Sequence, residues 1–315
     1  MKTYAFGVDV GGTTVKIGLF NVAGDLLEKW EIPTVKDRNG AQILPDIAAS
    51  ILKKLDDRDI EKDDVAGVGI GVPGAVLRES IVNRCVNVGW GIRDVAAELS
   101  EALGGLPVKV GNDANVAALG EMWKGGGKGH RNIVMVTLGT GVGGGIIING
   151  RIVSGNFGAG GEIGHMCVNH AETERCNCGR RGCLEQYASA TGISRLAKAY
   201  LKAHPDEETP LRKKENPSAR DVFDAYRDGD AVATAIAEQV GDYLGRGLAN
   251  VADVVDPEAF VIGGGVSKAG KILIDLIRKY YQQYVFHTST ETEIALAELG
   301  NDAGIYGSVR MILGD

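Results

Sequence analysis

One order of predicted elements occurs twice in this chain, and this repeat constrains the fold more than any other feature. Residues 4–10, 14–20 and 26–32 have the apolar patterns of three strands joined by short turns. Helices and buried strands follow them, and the order then restarts with strands at 132–138 and 144–148. A repeated unit this large predicts two related α/β domains with a cleft between them.

Apolar periodicity and capping residues place the remaining elements. In the first half Asp94 is predicted to cap a helix that ends at Leu103, and a short strand is predicted at 108–110. The later predictions are helices over 189–203, 218–254, 268–284 and 303–313 and strands over 259–262 and 293–297.

A glycine-rich turn separates the first two strands. Gly11 and Gly12 let the backbone approach a phosphate, Thr13 adds a hydroxyl and Lys16 follows. Asp9 ends a buried strand, where a carboxylate needs a partner, and Mg²⁺ is a suitable one. An ordinary hairpin with a capping aspartate explains these residues equally well.

The corresponding turn of the second half contains Thr137, Gly139, Thr140 and Gly141. Its G-x-G-x-x-G pattern is not a dinucleotide fingerprint, because that fingerprint opens a helix and here the strand 144–148 follows. The chain also has no P-loop sequence. Two such turns facing each other would hold the β- and γ-phosphates of a nucleotide from both sides.

A third glycine run, Gly263-Gly264-Gly265, connects a strand to a helix. It suits a surface for adenosine, where a side chain would clash. A tight strand–helix connection is an equally good explanation of this run.

The cysteines indicate a metal site. Cys176, Cys178 and Cys183 fall within eight residues, and structural zinc takes four tetrahedral nitrogen or sulfur ligands. Spacing does not choose the fourth ligand among the candidates His165, His170 and Cys167. A loop of free thiols is the alternative, and either suits a reducing cytoplasm.

Several polar residues lie close to these motifs in the sequence. Asn112 and Asp113 follow a short strand and precede a helix, the position at which α/β proteins bind ligands. A carboxylate there can take a proton from an attacking hydroxyl, and capping of the helix is the alternative role for Asp113. Glu162 and Glu185 flank the cysteine loop, where they either bind sugar hydroxyls or are solvated surface charges.

Charge and hydropathy exclude other classes of partner. The net charge of −7 gives no electrostatic attraction to nucleic acid or to an anionic membrane. The longest apolar runs are strand-sized, so we expect no membrane segment, and no signal peptide fits the first residues. A cytoplasmic protein is expected.

Together these motifs resemble those of the ROK family (repressors, uncharacterised frames and sugar kinases) of the actin/hexokinase superfamily, and its bacterial glucokinases most. The resemblance covers essentially the whole chain. It rests on the two phosphate turns, the triple glycine, Glu162-x-Gly164-His165 and Cys176-x-Cys178-Gly179-x-x-Gly182-Cys183-x-Glu185.

The resemblance implies an α/β fold of two ribonuclease H-like (actin/hexokinase-type) domains with an interdomain cleft. Residues 1–113 plus 301–315 would form the small domain and residues 114–300 the large one. The implied reaction is ATP-dependent phosphorylation of the glucose 6-hydroxyl, with Mg²⁺ and a structural Zn²⁺ as cofactors. A homodimer or tetramer is also implied.

Residue roles follow from the same resemblance. Asp113 would be the catalytic base. The hexose would be held by Asn112, Glu162, His165 and Glu185, with Gly74 and Asn87 as further candidates. ATP would contact Asp9, Gly11, Gly12, Thr13, Lys16, Thr137, Gly139, Thr140, Gly141 and Gly263–Gly265. Zinc would bind His165, Cys176, Cys178 and Cys183.

Two alternatives stay open at this point. The first is a ROK kinase for N-acetylmannosamine, fructose, mannose or allose, because pocket chemistry does not separate glucose from its epimers. The second is a sugar-responsive repressor, which we disfavour because only eight residues precede Asp9 and leave no helix-turn-helix. The residues Gln186-Tyr187-Ala188-Ser189 after the zinc signature favour glucokinase.

Overall fold

The computed structural model describes residues 2–314 as a mixed α/β protein. The strands are β1 (Tyr4–Val10), β2 (Thr14–Asn21), β3 (Leu26–Pro33), β4 (Val65–Val72), β5 (Ala75–Leu77), β6 (Ile81–Cys85), β7 (Trp90–Asp94), β8 (Val108–Asn112), β9 (Ile133–Leu138), β10 (Val142–Ile148), β11 (Arg151–Ile152), β12 (Ala259–Gly263) and β13 (Glu293–Leu296). The helices are α1 (Asp37–Gly40), α2 (Ile43–Asp57), α3 (Val95–Ala102), α4 (Asp113–Lys124), α5 (Glu185–Ala188), α6 (Ala190–Ala203), α7 (Ala219–Arg227), α8 (Ala231–Val255), α9 (Lys271–Tyr284) and α10 (Ala303–Leu313).

The predicted repeat is confirmed by the order of strands in the two large sheets. One sheet has the order β3-β2-β1-β4-β8 and the other β11-β10-β9-β12-β13. Each therefore places its first strand at the centre, its second and third on one side and its fourth and fifth on the other. The later strands of both sheets pair in parallel, β1 with β4 with β8 and β9 with β12 with β13.

The central strands of the first sheet, β1 and β4, are buried on both faces. One face packs into a core with α2 and α3 that contains the fully buried Phe6, Ile17, Ile47 and Leu99. On the other face α10 lies directly on the strands, where a Cβ on Gly69 would overlap the backbone of Ser308. Burial on both faces explains why β1 and β4 read as near-continuous apolar runs.

Two features differ from the sequence-based prediction. A third sheet of order β5-β6-β7 occupies residues 75–94, where no strand was predicted because these strands are only three to five residues long. The single helix predicted over 218–254 is wrong, since α7 ends at Arg227 and α8 begins at Ala231. Gly229 has a φ of +81° there, and the side chain of Asp230 accepts a hydrogen bond from the backbone N–H of Ala233 at 2.7 Å to cap α8.

The chain divides into two compact units. Unit 1 comprises Met1–Arg131, Gly145–Gly161 and Glu298–Asp315, and unit 2 comprises Asn132–Gly144 and Glu162–Ala297. Unit 1 includes α4 because that helix packs closely on α10, where a Cβ on Gly120 would overlap the backbone of Ala303. The domains implied by the family resemblance, 1–113 plus 301–315 and 114–300, are not tested by this division into compact units. They stay a prediction.

Within the described residues, no helix has both the length and the apolar character needed to cross a membrane.

Candidate active site

Asn112 and Asp113 stand at the junction of β8 and α4, in unit 1. The side chain of Asn112 caps the helix, because its Oδ1 accepts hydrogen bonds from the backbone N–H groups of Ala114 at 3.1 Å and Asn115 at 3.2 Å. Asp113 is the first residue of α4, and its Oδ1 also accepts from the N–H of Ala114, at 2.8 Å. The N-cap residue is therefore Asn112, and the Asp113 carboxylate adds one further hydrogen bond to this cap.

Asn112 also joins Gly74 to this site. Its Nδ2 donates a hydrogen bond to the carbonyl of Gly74 at 3.1 Å, so two predicted sugar residues far apart in sequence are in direct contact. Asn87 is exposed in the 3₁₀ turn Val86–Val88. Burial raises the pKa of the Cys85 thiol nearby, and the Asp113 carboxylate raises it further. Sequence reasoning missed Cys85, because nothing in a lone cysteine signals proximity to Asp113.

Asp9 is the penultimate residue of β1 and is partly buried. Desolvation by burial raises the pKa of its carboxyl to about 6, the Asp113 carboxylate adds to this, and Lys16 opposes it. Lys16 is opposite Asp9 in the β1–β2 register, and its Nζ donates to the carbonyl of Asn301 at 2.9 Å. Two partly buried carboxylates that repel each other favour a bound cation, and Mg²⁺ prefers oxygen ligands of this kind.

An unpredicted glycine makes room for Asp9. A Cβ on Gly304, in the first turn of α10, would lie 2.7 Å from Cγ of Asp9. The sequence offers no signal for this contact, because it depends on how the C-terminal helix packs across the first sheet.

The second glycine turn, in unit 2, connects β9 to β10. The backbone N–H of Gly139 bonds to the carbonyl of Gly141 at 3.0 Å, and strand β10 follows at Val142. The argument against a dinucleotide fingerprint is thereby confirmed, since the turn opens a strand. The carbonyl of Gly139 also accepts from the N–H of Ala190 at 2.8 Å, which attaches the turn to the start of α6.

Val142, the residue after this turn, contacts both segments that contain predicted sugar ligands, one at Gly164 and one at Glu185. Its backbone N–H donates to Oε2 of Glu185 at 3.0 Å. Its carbonyl packs against Gly164, where any Cβ would overlap it. Glu162 is exposed, and its carbonyl accepts from the N–H of His165 at 3.1 Å to begin the turn Ile163–His165.

The four predicted zinc ligands come together in unit 2. The ligand atoms of His165, Cys176, Cys178 and Cys183 all lie within 4.8 Å of one another. Cys178 Sγ is 3.6 Å from Cys183 Sγ, and Cys176 Sγ is 3.8 Å from His165 Nδ1. Tetrahedral zinc with Zn–S bonds of about 2.3 Å requires a sulfur–sulfur separation of about 3.8 Å, so these residues fit the ion.

The two other candidates for the fourth ligand form a separate pair. Cys167 Sγ lies 3.5 Å from His170 Nδ1. Both residues are exposed, and neither belongs to the cluster of four ligand atoms.

The thiol of Cys178 has a pKa below its ordinary value and therefore ionises more readily. Burial raises the pKa of its thiol, but hydrogen bonds from the backbone and side chain of Arg180, together with the other two thiols, bring the pKa down to about 6. Thiolate is the form that binds metal. Glu185 also approaches this cluster, since its Oε1 lies 3.6 Å from Cys176 Sγ.

Within the glycine run 263–265, packing requires one glycine and leaves another open. Gly264 has a φ of +87°, and a Cβ there would lie within 2.7 Å of the Leu138 backbone, so the fold requires this glycine. A Cβ on Gly265 would meet no atom of residues 2–314 within 4 Å, so their packing does not require that glycine. Gly265 instead borders a cavity of about 580 Å³ in unit 2, whose other lining residues are Ala190, Ser218, Ala219, Arg220, Phe223, Asp224, Arg227, Val266, Lys268 and Ala269.

Several residues that line this cavity were not among the predicted site residues. Arg220, Phe223 and Arg227 belong to α7, within the span that was predicted as one long helix. Their approach to Gly265 depends on the packing of α7, so no local sequence signal marks them.

A two-part α/β fold with glycine turns, a carboxylate pair and a Cys₃His cluster defines a sugar kinase of the actin/hexokinase fold. The sequence model of the ROK family matches residues 5–314. The chain belongs to the ROK family.

Relatives agree with this assignment. The chain is 44% identical to a glucokinase of Halalkalibacterium halodurans, across 96% of this chain and 92% of that protein. It is 39% identical to a glucokinase of Thermotoga maritima, across 99% and 98%. The crystal structure of a ROK family glucokinase from Streptomyces griseus in complex with glucose and AMPPNP superposes with a TM-score of 0.74 at 34% identity, across 98% of both chains.

Proposed function

We propose that this protein is a glucokinase that transfers the terminal phosphoryl group of ATP to the 6-hydroxyl of D-glucose. The observation that carries the proposal is the 44% identity to a glucokinase over nearly the whole of both chains. A related glucokinase has been crystallised with glucose and an ATP analogue, which supports both substrates.

Asp113 is the residue we assign as catalytic base. Asn112 is the N-cap of α4, so the hydrogen bond that Asp113 makes at the cap is a secondary role for its carboxylate. It would take the proton of the 6-hydroxyl as the oxygen attacks phosphorus. Asn112 and Gly74, joined by a hydrogen bond, would hold the sugar beside it, and Asn87 stays a candidate.

The residues of unit 2 would hold the remaining substrate groups. Glu162, His165 and Glu185 are the proposed hexose ligands, and Glu185 is oriented by the N–H of Val142. Thr137, Gly139, Thr140 and Gly141 would contact the phosphates of ATP. The large cavity at Gly265 suits the adenosine, since pockets of a few hundred Å³ bind ligands of this size.

Two metals are part of the proposal. Asp9 would hold Mg²⁺, directly or through water, and Gly11, Gly12, Thr13 and Lys16 would surround the phosphates. Mg²⁺ supplies charge neutralisation for the phosphoryl group in transfer. Zn²⁺ at His165, Cys176, Cys178 and Cys183 would be structural, because four protein ligands leave no open position.

A panel of hexoses tests the function directly. Purified protein with MgATP is mixed with glucose, N-acetylmannosamine, fructose, mannose or allose, and ADP release is followed by a coupled assay. We expect the highest kcat/KM with glucose. A higher value with another hexose would reassign the substrate, and no turnover with any hexose would refute the kinase assignment. Light scattering of the same sample measures the mass in solution and so decides between the predicted homodimer and tetramer. The cytoplasmic location stays a prediction.

A further inference from the structure

The segment that follows β3 runs beside the first phosphate turn. The backbone N–H of Thr34 donates to the carbonyl of Thr13 at 2.9 Å, and the Thr34 hydroxyl donates to the carbonyl of Gly11 at 2.8 Å. Two hydrogen bonds from one residue fix this segment against the turn. Lys36 follows two residues later, so its position relative to the turn is set by the fold.

The ammonium group of Lys36 lies over Gly12. Its Nζ is 3.5 Å from the point that a Cβ on Gly12 would occupy. Among the residues that the structure describes, leaving aside those adjoining Gly12, no other atom lies within 4 Å of that point. The neighbouring Gly11 is different, because a Cβ there would lie 2.7 Å from the Thr14 carbonyl oxygen. Packing therefore requires glycine at position 11 and leaves an open surface at position 12, with a cation above it.

The two lysines of this region differ in what they contact. Lys16 Nζ donates to the carbonyl of Asn301, and Lys16 also interacts with the Asp9 carboxylate. Lys36 is exposed, and within residues 2–314 no hydrogen bond or ion pair engages its ammonium. Lys36 thus keeps all three of its donors for a ligand at the turn.

We infer that Lys36 binds the terminal phosphates of ATP at the Gly11–Gly12 turn. The inference rests on the proposed kinase function and adds a residue that the sequence motifs did not identify. Lysine is a suitable residue for this purpose, because its ammonium is a compact charge on a flexible stem that can follow a phosphate oxygen.

Binding measurements separate this role from catalysis. We would titrate wild-type protein, K36M, K36R and the control K53M with Mg-AMPPNP and with adenosine by calorimetry. Lys53 is another exposed lysine of unit 1, on α2, so K53M matches the charge change. We expect K36M to bind Mg-AMPPNP about tenfold more weakly or worse, K36R to recover most of the affinity, and K53M to match wild type. Adenosine affinity should stay unchanged in every variant, because adenosine carries no phosphate.

Equal Mg-AMPPNP affinity in K36M and wild type would overturn the inference, and so would an equal loss of adenosine affinity. A wild-type protein that fails to bind Mg-AMPPNP would overturn it as well. The proposed function fails separately, if no hexose is phosphorylated, because the titration requires no sugar and no turnover. Thermal unfolding of each variant checks that the exposed substitutions leave the fold intact.

Discussion

Glu185 accepts a hydrogen bond through Oε2 from the backbone N–H of Val142, at 3.0 Å, in unit 2. Its other oxygen, Oε1, lies 3.6 Å from Cys176 Sγ in the cysteine loop. One side chain thereby lies between the cysteine loop and the start of β10, directly after the glycine turn. The hydrogen bond from Val142 orients this proposed hexose ligand, which favours precise binding of substrate hydroxyls.

Two substitutions of Glu185 separate the effect of its negative charge from the effect of its hydrogen bond with Val142. Glu185→Gln keeps an oxygen for the N–H of Val142 and removes the negative charge, so we expect near wild-type stability and a fall in kcat/KM for glucose of about tenfold or more. Glu185→Ala leaves the Val142 N–H unpaired and should also lose about 1–3 kcal/mol of unfolding free energy. Steady-state kinetics and urea denaturation measure the two effects. Full activity in E185Q would show that the charge is not used.

Asp113 should matter for turnover far more than for sugar affinity. A general base contributes about 10²–10⁴-fold to the rate, so Asp113→Asn should reduce kcat within that range while the glucose Kd changes little. Asn112→Ala is the comparison variant, because it removes both the helix cap and the contact to Gly74. It should cost about 1 kcal/mol of stability and weaken glucose binding. A D113N enzyme with nearly normal kcat would remove the assignment of Asp113 as base.

Asp9 makes the ligand-free protein less stable as pH rises. An unfolded aspartate has its ordinary pKa of 3.8, whereas burial and Asp113 raise the folded value to about 6. Between these values the folded chain keeps a proton that the unfolded chain releases, so stability falls as pH rises and the loss is complete above about pH 6. The full difference corresponds to about 3 kcal/mol.

Asp9→Asn removes this titration. The variant should be more stable than wild type by up to about 3 kcal/mol at pH 8, with the difference shrinking toward zero near pH 4. Urea denaturation at several pH values, without nucleotide or Mg²⁺, measures the difference. A constant gap at all pH values would show that the carboxylate does not titrate as stated. D9N should also bind MgATP poorly.

Zinc content should depend on four residues and no others of the loop. Elemental analysis is expected to give about one zinc per chain for wild type, C167S and H170A, and far less for C178S and H165A. Cys167 and His170 provide the matched controls, because they lie nearby and form a pair of their own. Removal of the metal by a chelator should lower the thermal midpoint, since the ion stabilises only the folded loop. A fully active metal-free protein would rule out a zinc requirement.

Gly264 and Gly265 should respond differently to alanine. Gly264→Ala places a Cβ at a φ of +87° and against the Leu138 backbone, so it should destabilise the protein strongly. Gly265→Ala meets no atom within 4 Å and should leave stability unchanged. If the adjacent cavity holds adenosine, G265A should raise the KM for ATP, and an unchanged KM would place the adenosine elsewhere.

Much of the architecture was readable from local patterns. The repeated strand order and the helix over 303–313 follow from apolar periodicity, which depends on residues close in sequence. The split between α7 and α8 was missed, because a short Asp-Gly-Asp segment barely interrupts a long helical pattern. The sheet at 75–94 was missed because its strands are too short to show a period.

The sequence by itself determined which residue types are available at each motif: a thiol-rich loop, three glycine runs and an Asn-Asp pair at a strand end. Tertiary structure decided which of them lie close together. It brought His165, which the family resemblance had implied, into the cluster of candidate metal ligands and left His170 and Cys167 outside it, and it assigned the cap of α4 to Asn112. It also placed Gly304 against Asp9 and Lys36 over Gly12. The physical reason is that each of these choices depends on distances between segments far apart in the chain, which packing sets and local sequence does not encode.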